Sequence, residues 1–380
     1  MNLYTKKIKF RANGFSLIEV MVGMVVGLVT IIIIMQSFAA FEGQKRTTTS
    51  GADSQENGLI ALRSIESDAR MSGLGLLTPG GLACTSITTY YNGTIQSSPI
   101  APVLITDGGN GASDAITFTY SNSPSGSSPA VLTSAMPTSA SYITMDAINM
   151  AGFNINADTF IVATPSTTGN GIPPCSRLAY VDTTVTSPSP TALSLYNPPS
   201  STNIFPTGSV TGYDGFNSFA VNMGNFIQKY YQVISNALAT TDVSIPNQPA
   251  IPFVDNVVNI QAQYGIAPTN PSPGSTSPAV NCWTDANGNA CNPSSGNWSV
   301  PAAVDIMRIK AIRVAIVVRS AIREKPQKNG VCNTTITQPI SWIGGPNIDL
   351  SISDPNYWQC HRYRVYQTII PLRNVIWANL

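Results

Sequence analysis

The 380-residue sequence predicts an α+β protein: a long N-terminal helix packed on a β-rich globular domain with an antiparallel sheet and long loops. Three observations predict this. An uncharged, mostly apolar run extends from Val20 to Phe41, and no proline occurs before Pro79. From about residue 78 onward, short apolar segments alternate with clusters of Ser, Thr, Asn, Gly and Pro, the pattern of strands separated by turns and loops.

The N-terminal element comes first. Lys6, Lys7, Lys9 and Arg11 form a basic leader, followed by Gly14-Phe15-Ser16-Leu17-Ile18-Glu19 and then the apolar run. A run of that length can span a bilayer. Glu19 sits at its entrance, and a carboxylate at bilayer depth costs a few kcal/mol, which makes it a functional residue in need of a partner. An α-amine made by cutting after Gly14 would serve. This segment resembles the class III signal of type IV prepilins and type II secretion pseudopilins. The resemblance implies that a prepilin peptidase/methyltransferase of the inner membrane cleaves after Gly14 and methylates Phe15. The helix would then serve as an anchor and later as the core of a filament. The expected divisions are a cleaved leader (1–14), a transmembrane and filament-core half of the helix (15–41), an amphipathic half (42–77) and an exported globular domain (78–380) with room for two lobes. Two plainer readings compete. An ordinary secretory signal could be cut near Ser37-Phe38-Ala39, but the apolar core exceeds the usual 7–15 residues. A single-pass anchor would simply let Glu19 snorkel to the interface.

Glu19, Gly23 and Gly27 recur every four residues and so share a helical face. Gly23 and Gly27 make a GxxxG pattern that allows close helix approach in lipid. On this reading Glu19 meets the α-amine of Phe15 on a neighbouring subunit, and a subunit out of register buries two unpaired charges. Gly43, Gly51 and the intervening Thr47-Thr48-Thr49-Ser50 predict a bend or frayed turn. Helical periodicity resumes over 57–72, where Leu59, Leu62, Ile65 and Ala69 are spaced by three and four beside Arg63, Glu66 and Arg70. Gly73, Gly75 and Pro79-Gly80-Gly81 mark its end.

Strands are expected over 114–120, 158–164, 229–235, 254–264, 311–320 and 363–372. In the fifth, Ile312, Val314, Ile316 and Val318 alternate with Arg313, Ala315, Val317 and Arg319. Residues 304–310 fit either a helical turn or an extended lead-in. Loops are expected over 121–129, 165–174, 187–206 and 267–279. Three motifs stand out: Val254-Asp255-Asn256-Val257-Val258-Asn259-Ile260-Gln261-Ala262-Gln263-Tyr264-Gly265, then Ile309-Lys310-Ala311-Ile312-Arg313-Val314-Ala315-Ile316-Val317-Val318-Arg319-Ser320, then Tyr363-Arg364-Val365-Tyr366-Gln367-Thr368-Ile369-Ile370-Pro371-Leu372-Arg373-Asn374. With Ser67-Asp68-Ala69-Arg70-Met71-Ser72-Gly73, they resemble minor pilins of the PilW class over roughly half the chain. That resemblance implies a low-copy complex with other minor pilins and the major pilin, which primes a type IV pilus and stays at its extracellular tip, with a larger adhesin as a further partner. A globular part this large is hard to fit at every position of a packed shaft.

Only 10% of residues are charged and the net charge is +1. Removing residues 1–14 takes away four Lys/Arg and no acid, leaving 16 basic and 19 acidic side chains and a net charge of −3. No basic patch for nucleic acid is expected. Six cysteines in an exported domain suggest disulfides, with fifteen connectivities open. Cys282 and Cys291 bracket a short loop, Cys332 and Cys360 flank an insertion between two strands, and Cys84 and Cys175 remain.

No catalytic residue, metal site or cofactor is expected. Asp285-Ala286-Asn287-Gly288-Asn289 opens like a calcium loop, but Ala290 and Gly296 stand where glycine and an acid are required. His361, the sole histidine, lies in no known catalytic motif. Asn297-Trp298-Ser299 and Asn333-Thr334-Thr335 match glycosylation sequons, discounted because the signal implies a bacterial source. Trp283, Trp298, Trp342, Trp358 and Trp377 suggest either a sugar-binding face or core and loop anchors. The leading function is a structural filament subunit. A pseudopilin of a type II secretion or competence filament, a membrane-anchored adhesin and, last, an enzyme are the alternatives.

Overall fold

The structure, a computed structural model, describes residues 14, 16–78, 81–82, 86–91, 94–123, 129–135, 142–145, 158–163, 175–181, 192–196, 215, 218–244, 248–268, 279–338 and 340–378. The chain divides into two compact units, Met1–Asp53 and Ser54–Leu380. One helix, Leu17–Met71, begins in the first and ends in the second.

Within the first unit the helix passes through Gly43 and Gly51 without a break, so no frayed turn forms there. The Thr47 and Thr48 hydroxyls donate to the carbonyls of Gly43 (3.1 Å) and Gln44 (2.9 Å) one turn back. They are satisfied inside the helix rather than competing with it, and the glycines cost only about 1 kcal/mol each.

In the second unit the helix presents Ala61, Ile65 and Ala69, all fully buried, to the sheets. It stops at Met71, where Gly73 (φ 83°) and Gly75 (φ 79°) take the left-handed conformation that side chains disfavour. The Asn374 amide donates to the carbonyls of Met71 (3.1 Å) and Ser72 (2.9 Å), giving partners to groups that a helix C-terminus leaves open.

Two antiparallel sheets receive this stripe. A five-stranded sheet runs in the order Ile251–Asp255, Ala237–Asp242, Phe226–Ile234, Ala115–Ser121, Val103–Thr106. A four-stranded sheet runs Cys282–Thr284, Val257–Ile266, Ile309–Arg319, Tyr363–Pro371. A further sheet contains Asp158–Ala163 and Ser218–Gly224, with one parallel pair, Ser86–Tyr91 beside Cys175–Val181. All six expected strand regions carry strand, with one correction. The region 254–264 is two strands in different sheets, divided at Asn256, whose φ of 63° turns the chain; asparagine is among the few residues that tolerate this. Residues 304–310 divide between a short helix, Ala303–Ile306, and the start of the strand Ile309–Arg319. The loop expected over 187–206 contains a strand, Ala192–Tyr196, whose short alternating Ala-Leu-Ser-Leu-Tyr is outweighed in the sequence by flanking prolines. The loop expected over 165–174 lies outside the described residues, as does most of those at 121–129 and 267–279.

The strands Val257–Ile266 and Ile309–Arg319 are covered on both faces. Ile260, Ala262, Tyr264, Ile312, Val314 and Ile316 join the core beneath the helix. Val258, Ala315 and Val317 face the other way, under Trp342, Ile348 and Leu350 of the insertion 321–360. Disulfides Cys332–Cys360 and Cys282–Cys291 close the insertion and a loop that precedes Ile309–Arg319. Cys84 lies outside the described residues, so its pairing with Cys175 is an expectation.

Polar contacts fix how the helix is seated. The Asp68 carboxylate accepts hydrogen bonds from the Tyr120 hydroxyl (3.0 Å) and the Tyr231 hydroxyl. Asn57 donates to the Asp255 carbonyl at 3.0 Å, and a Cβ at Gly58 would overlap the Tyr366 ring. Replacing Asp68→Ala leaves the Tyr120 hydroxyl without its acceptor and the Tyr231 hydroxyl with Ser64 Oγ (3.0 Å) alone, and should destabilise the second unit by about 2 kcal/mol. Thermal unfolding of the detergent-solubilised chain measures it, and Tyr120→Phe, which removes one bond, should cost less.

Candidate functional site

The helix start is built from Ser16 and Glu19. Ser16 precedes the first helical residue, and its hydroxyl accepts the Glu19 backbone N–H at 3.2 Å. Its carbonyl takes the N–H of Val20 at 3.2 Å. Ser16-Leu17-Ile18-Glu19 is therefore the Ser-x-x-Glu spacing of a capping box, with the acid in the first turn where the helix dipole favours it. Sequence reasoning missed this cap by Ser16, although the spacing was legible.

Gly14 is exposed, and Phe15 lies outside the described residues. The Glu19 carboxylate has no hydrogen-bond or ion-pair partner among the described residues. Beyond it, the large apolar residues from Leu17 to Phe41 are exposed, for example Leu17, Val25, Ile31 and Phe38. Thr30 is internally satisfied, donating to the Val26 carbonyl at 2.8 Å. By length and composition this helix can cross a membrane. Gly23 and Gly27 face open space: a Cβ at either would meet nothing within 4 Å. Among the described residues, nothing requires glycine at these two positions.

Residues 9–35 match the family model of the prokaryotic N-terminal methylation motif. The chain thus carries a class III signal of the type IV pilin-like kind. That motif supports a pilin-type protein, processed by a prepilin peptidase for assembly into a pilus or pseudopilus, with the apolar helix as membrane anchor. No curated protein and no solved structure matches the chain.

Elsewhere the candidate residues have structural partners. Among the described residues, no group of three His, Cys, Asp or Glu is arranged to hold a metal ion. Asp285 instead accepts from the Gln263 amide at 2.6 Å and, through its carbonyl, from the Gly288 N–H at 3.0 Å. Trp298 is buried, with its indole N–H on the Ala290 carbonyl (2.7 Å). Trp283 and Trp342 both face the Arg313 guanidinium, at 4.9 and 5.5 Å from their ring centroids. These three tryptophans are core and loop anchors rather than one sugar platform. His361 is buried, its Nδ1 lying 2.8 Å from the Ser320 carbonyl. Burial lowers its pKa, ahead of the opposing effect of that hydrogen bond, and so favours the neutral ring.

Two further buried groups are shifted. Burial lowers Lys310 to about 8. Burial also raises Asp114 from 3.8 to about 7, although the Gly108 and Ala262 N–H groups donate to its carboxyl at 3.0 and 2.8 Å. A raised carboxyl binds more protons folded than unfolded, so its contribution is full below 3.8 and is lost as pH rises through about 7. Asp114→Asn should remove that slope. Subtracting the variant's stability from that of the parent, measured by denaturant unfolding at several pH values, should give a difference that falls with pH across this window.

Proposed function

We propose that this chain is a minor pilin of the PilW class that helps initiate a type IV pilus and stays at its tip. A prepilin peptidase/methyltransferase cuts after Gly14 and methylates Phe15. The cleaved subunit waits in the inner membrane with its globular part in the periplasm. It then joins other minor pilins and the major pilin, each Glu19 pairing with the α-amine of a neighbour's Phe15, and the assembled tip is extracellular, where a larger adhesin can join it.

The observation that carries this reading is the Glu19 carboxylate, without a partner among the described residues, at the head of an otherwise exposed, uncharged helical run. Gly23 and Gly27 support a packing role, because open space at both leaves room for another helix. Two further features support a tip position and the PilW class. The unit Ser54–Leu380 is bulky for a repeating shaft subunit. The greater part of each C-terminal motif also falls on neighbouring strands of one sheet, Val257–Ile266, Ile309–Arg319 and Tyr363–Pro371.

Mass spectrometry of the mature chain should find methylated Phe15 at the N-terminus. Gly14→Ala should slow cleavage. Glu19→Val should be cleaved normally but enter sheared pili at least about ten-fold less, the equivalent of ~1.4 kcal/mol of lost pairing. A start near Ala40 would mean secretion instead. Normal entry of the Glu19→Val chain into pili would refute the pairing, and retention of the methylated chain in a periplasmic filament would make it a pseudopilin.

A further inference from the structure

The edges of the two sheets beneath the helix are not alike. Val103–Thr106 has four residues and Cys282–Thr284 three. Ile251–Asp255 contains Pro252 and pairs with a register shift at Leu238/Ala239. Short strands, prolines and bulges are the usual devices that stop an edge from recruiting another strand. The fourth edge, Tyr363–Pro371, has nine residues, pairs with Ile309–Arg319 through nine consecutive positions without a shift, and has its one proline at the last position.

The hydrogen-bond phase of this strand is fixed at both ends. The Arg362 carbonyl accepts from the Ser320 N–H, and the Leu372 N–H donates to the Lys310 carbonyl. Even-numbered residues therefore turn their backbone groups inward to the sheet, and odd-numbered ones turn them outward. The N–H groups of Tyr363, Val365, Gln367 and Ile369 point away from the sheet, and they have no backbone partner among the described residues. Ile369 is 60% exposed, and Ile343, whose N–H meets the Gln367 side chain at 3.1 Å, is 73% exposed.

Charge selects the occupant. From His361 to Leu380 the chain carries Arg362, Arg364 and Arg373 and no acid. Arg362 is paired with Glu324. Arg364 and Arg373 are exposed and have no ion pair among the described residues. An antiparallel second copy of this strand would set arginines at each end against arginines. An extended segment with acids at its ends would be attracted. We propose that the outer edge of Tyr363–Pro371 receives an extended, acid-flanked segment of a different protein by β-strand addition. The incoming backbone bonds to the four outward N–H groups, its apolar side chains rest on Ile343 and Ile369, and its acids meet Arg364 and Arg373. This inference stands independently of the pilin reading.

The test uses the full-length chain in detergent and a fluorescent synthetic peptide of alternating Val and Thr with two Glu at each end, beside the same peptide with Lys in place of Glu. The Glu peptide should bind at least about ten-fold tighter than the Lys peptide and should slow amide hydrogen exchange at Val365, Gln367 and Ile369. Gln367→Pro removes one outward donor at a position where an edge strand tolerates proline, and binding should be lost while circular dichroism is unchanged. If that variant unfolds, Arg364→Glu combined with Arg373→Glu should reverse the peptide preference. Failure of both peptides to bind, equal binding of both, or exchange protection elsewhere would overturn the proposal. So would a dimer of the chain that Gln367→Pro dissolves, which would make the occupant a second copy.

Discussion

The second unit depends on one narrow helical stripe, Ala61, Ile65 and Ala69, seated on two sheets. Two alanines around one isoleucine let the helix approach closely while Ile65 fills the space between the sheets. Burying Ile65 contributes about 2–3 kcal/mol. A slide by one turn would set Ile65 where an alanine packs, and polar contacts reinforce this choice of register. Asp68 is reached by tyrosines from two different strands, Tyr120 and Tyr231, and Asn57 holds the Asp255 carbonyl one end away. A displaced helix would strand these groups, each at about 1–3 kcal/mol. Asn374, directly after the last strand of the four-stranded sheet, caps the same helix and ties the C-terminal region to it.

What could be read from the sequence follows from how local its signal is. The apolar run, the 3.6-residue periodicity after Asn57 and the glycines at the helix end are local, and the helix follows them. The strand Ile309–Arg319 was legible from its two-residue period, but the cover over Ala315 and Val317 was not. That cover comes from residues 342–350, and nothing in the strand itself announces it. The turn at Asn256, where the chain passes from one sheet to the other, was written locally as Asp-Asn between apolar runs, yet the continuous apolar character on either side hid it. In the N-terminal site, Glu19, Gly23 and Gly27 were legible from spacing. The cap by Ser16 was equally local and was hidden by the stronger reading of the same residues as a processing signal.

The insertion 321–360 shows how a loop-rich segment can be held with little core of its own. Its apolar contribution against the sheet is mainly Trp342, Ile348 and Leu350. The Cys332–Cys360 disulfide closes 28 residues of it, which restricts the unfolded chain by about 3–4 kcal/mol in the chain-entropy picture. Asp354 draws in Arg319 at 3.2 Å and Arg323 at 3.8 Å beside the buried His361. Arg313, between Trp283 and Trp342, joins the neighbouring disulfide loop to the insertion. Covalent and ionic ties thus stand where a larger domain would use apolar burial. The same arrangement covers the back of Ile309–Arg319 while leaving the outer edge of Tyr363–Pro371 without a backbone partner among the described residues.

Glu19 can be weighed by magnitude. Its first-turn position beside the Ser16 cap gives it the favourable field of the helix N-terminus, worth about 0.3–1 kcal/mol when exposed. Placing a carboxylate within the hydrocarbon costs about 2.5–3.5 kcal/mol on insertion scales. The dipole therefore offsets only part of the penalty, and a chain alone in the bilayer keeps Glu19 near the interface. Moving that carboxylate deeper, among packed helices, requires a full positive charge at contact distance. Within the apolar run from Val20 to Phe41 the sequence offers none, and Lys6, Lys7, Lys9 and Arg11 precede the cut that the Gly14-Phe15 junction implies. The new α-amine is the charge that cleavage itself creates. The helix cap explains why Glu19 is compatible with the isolated helix, and in the proposed filament the amine of a second subunit would let it leave the interface.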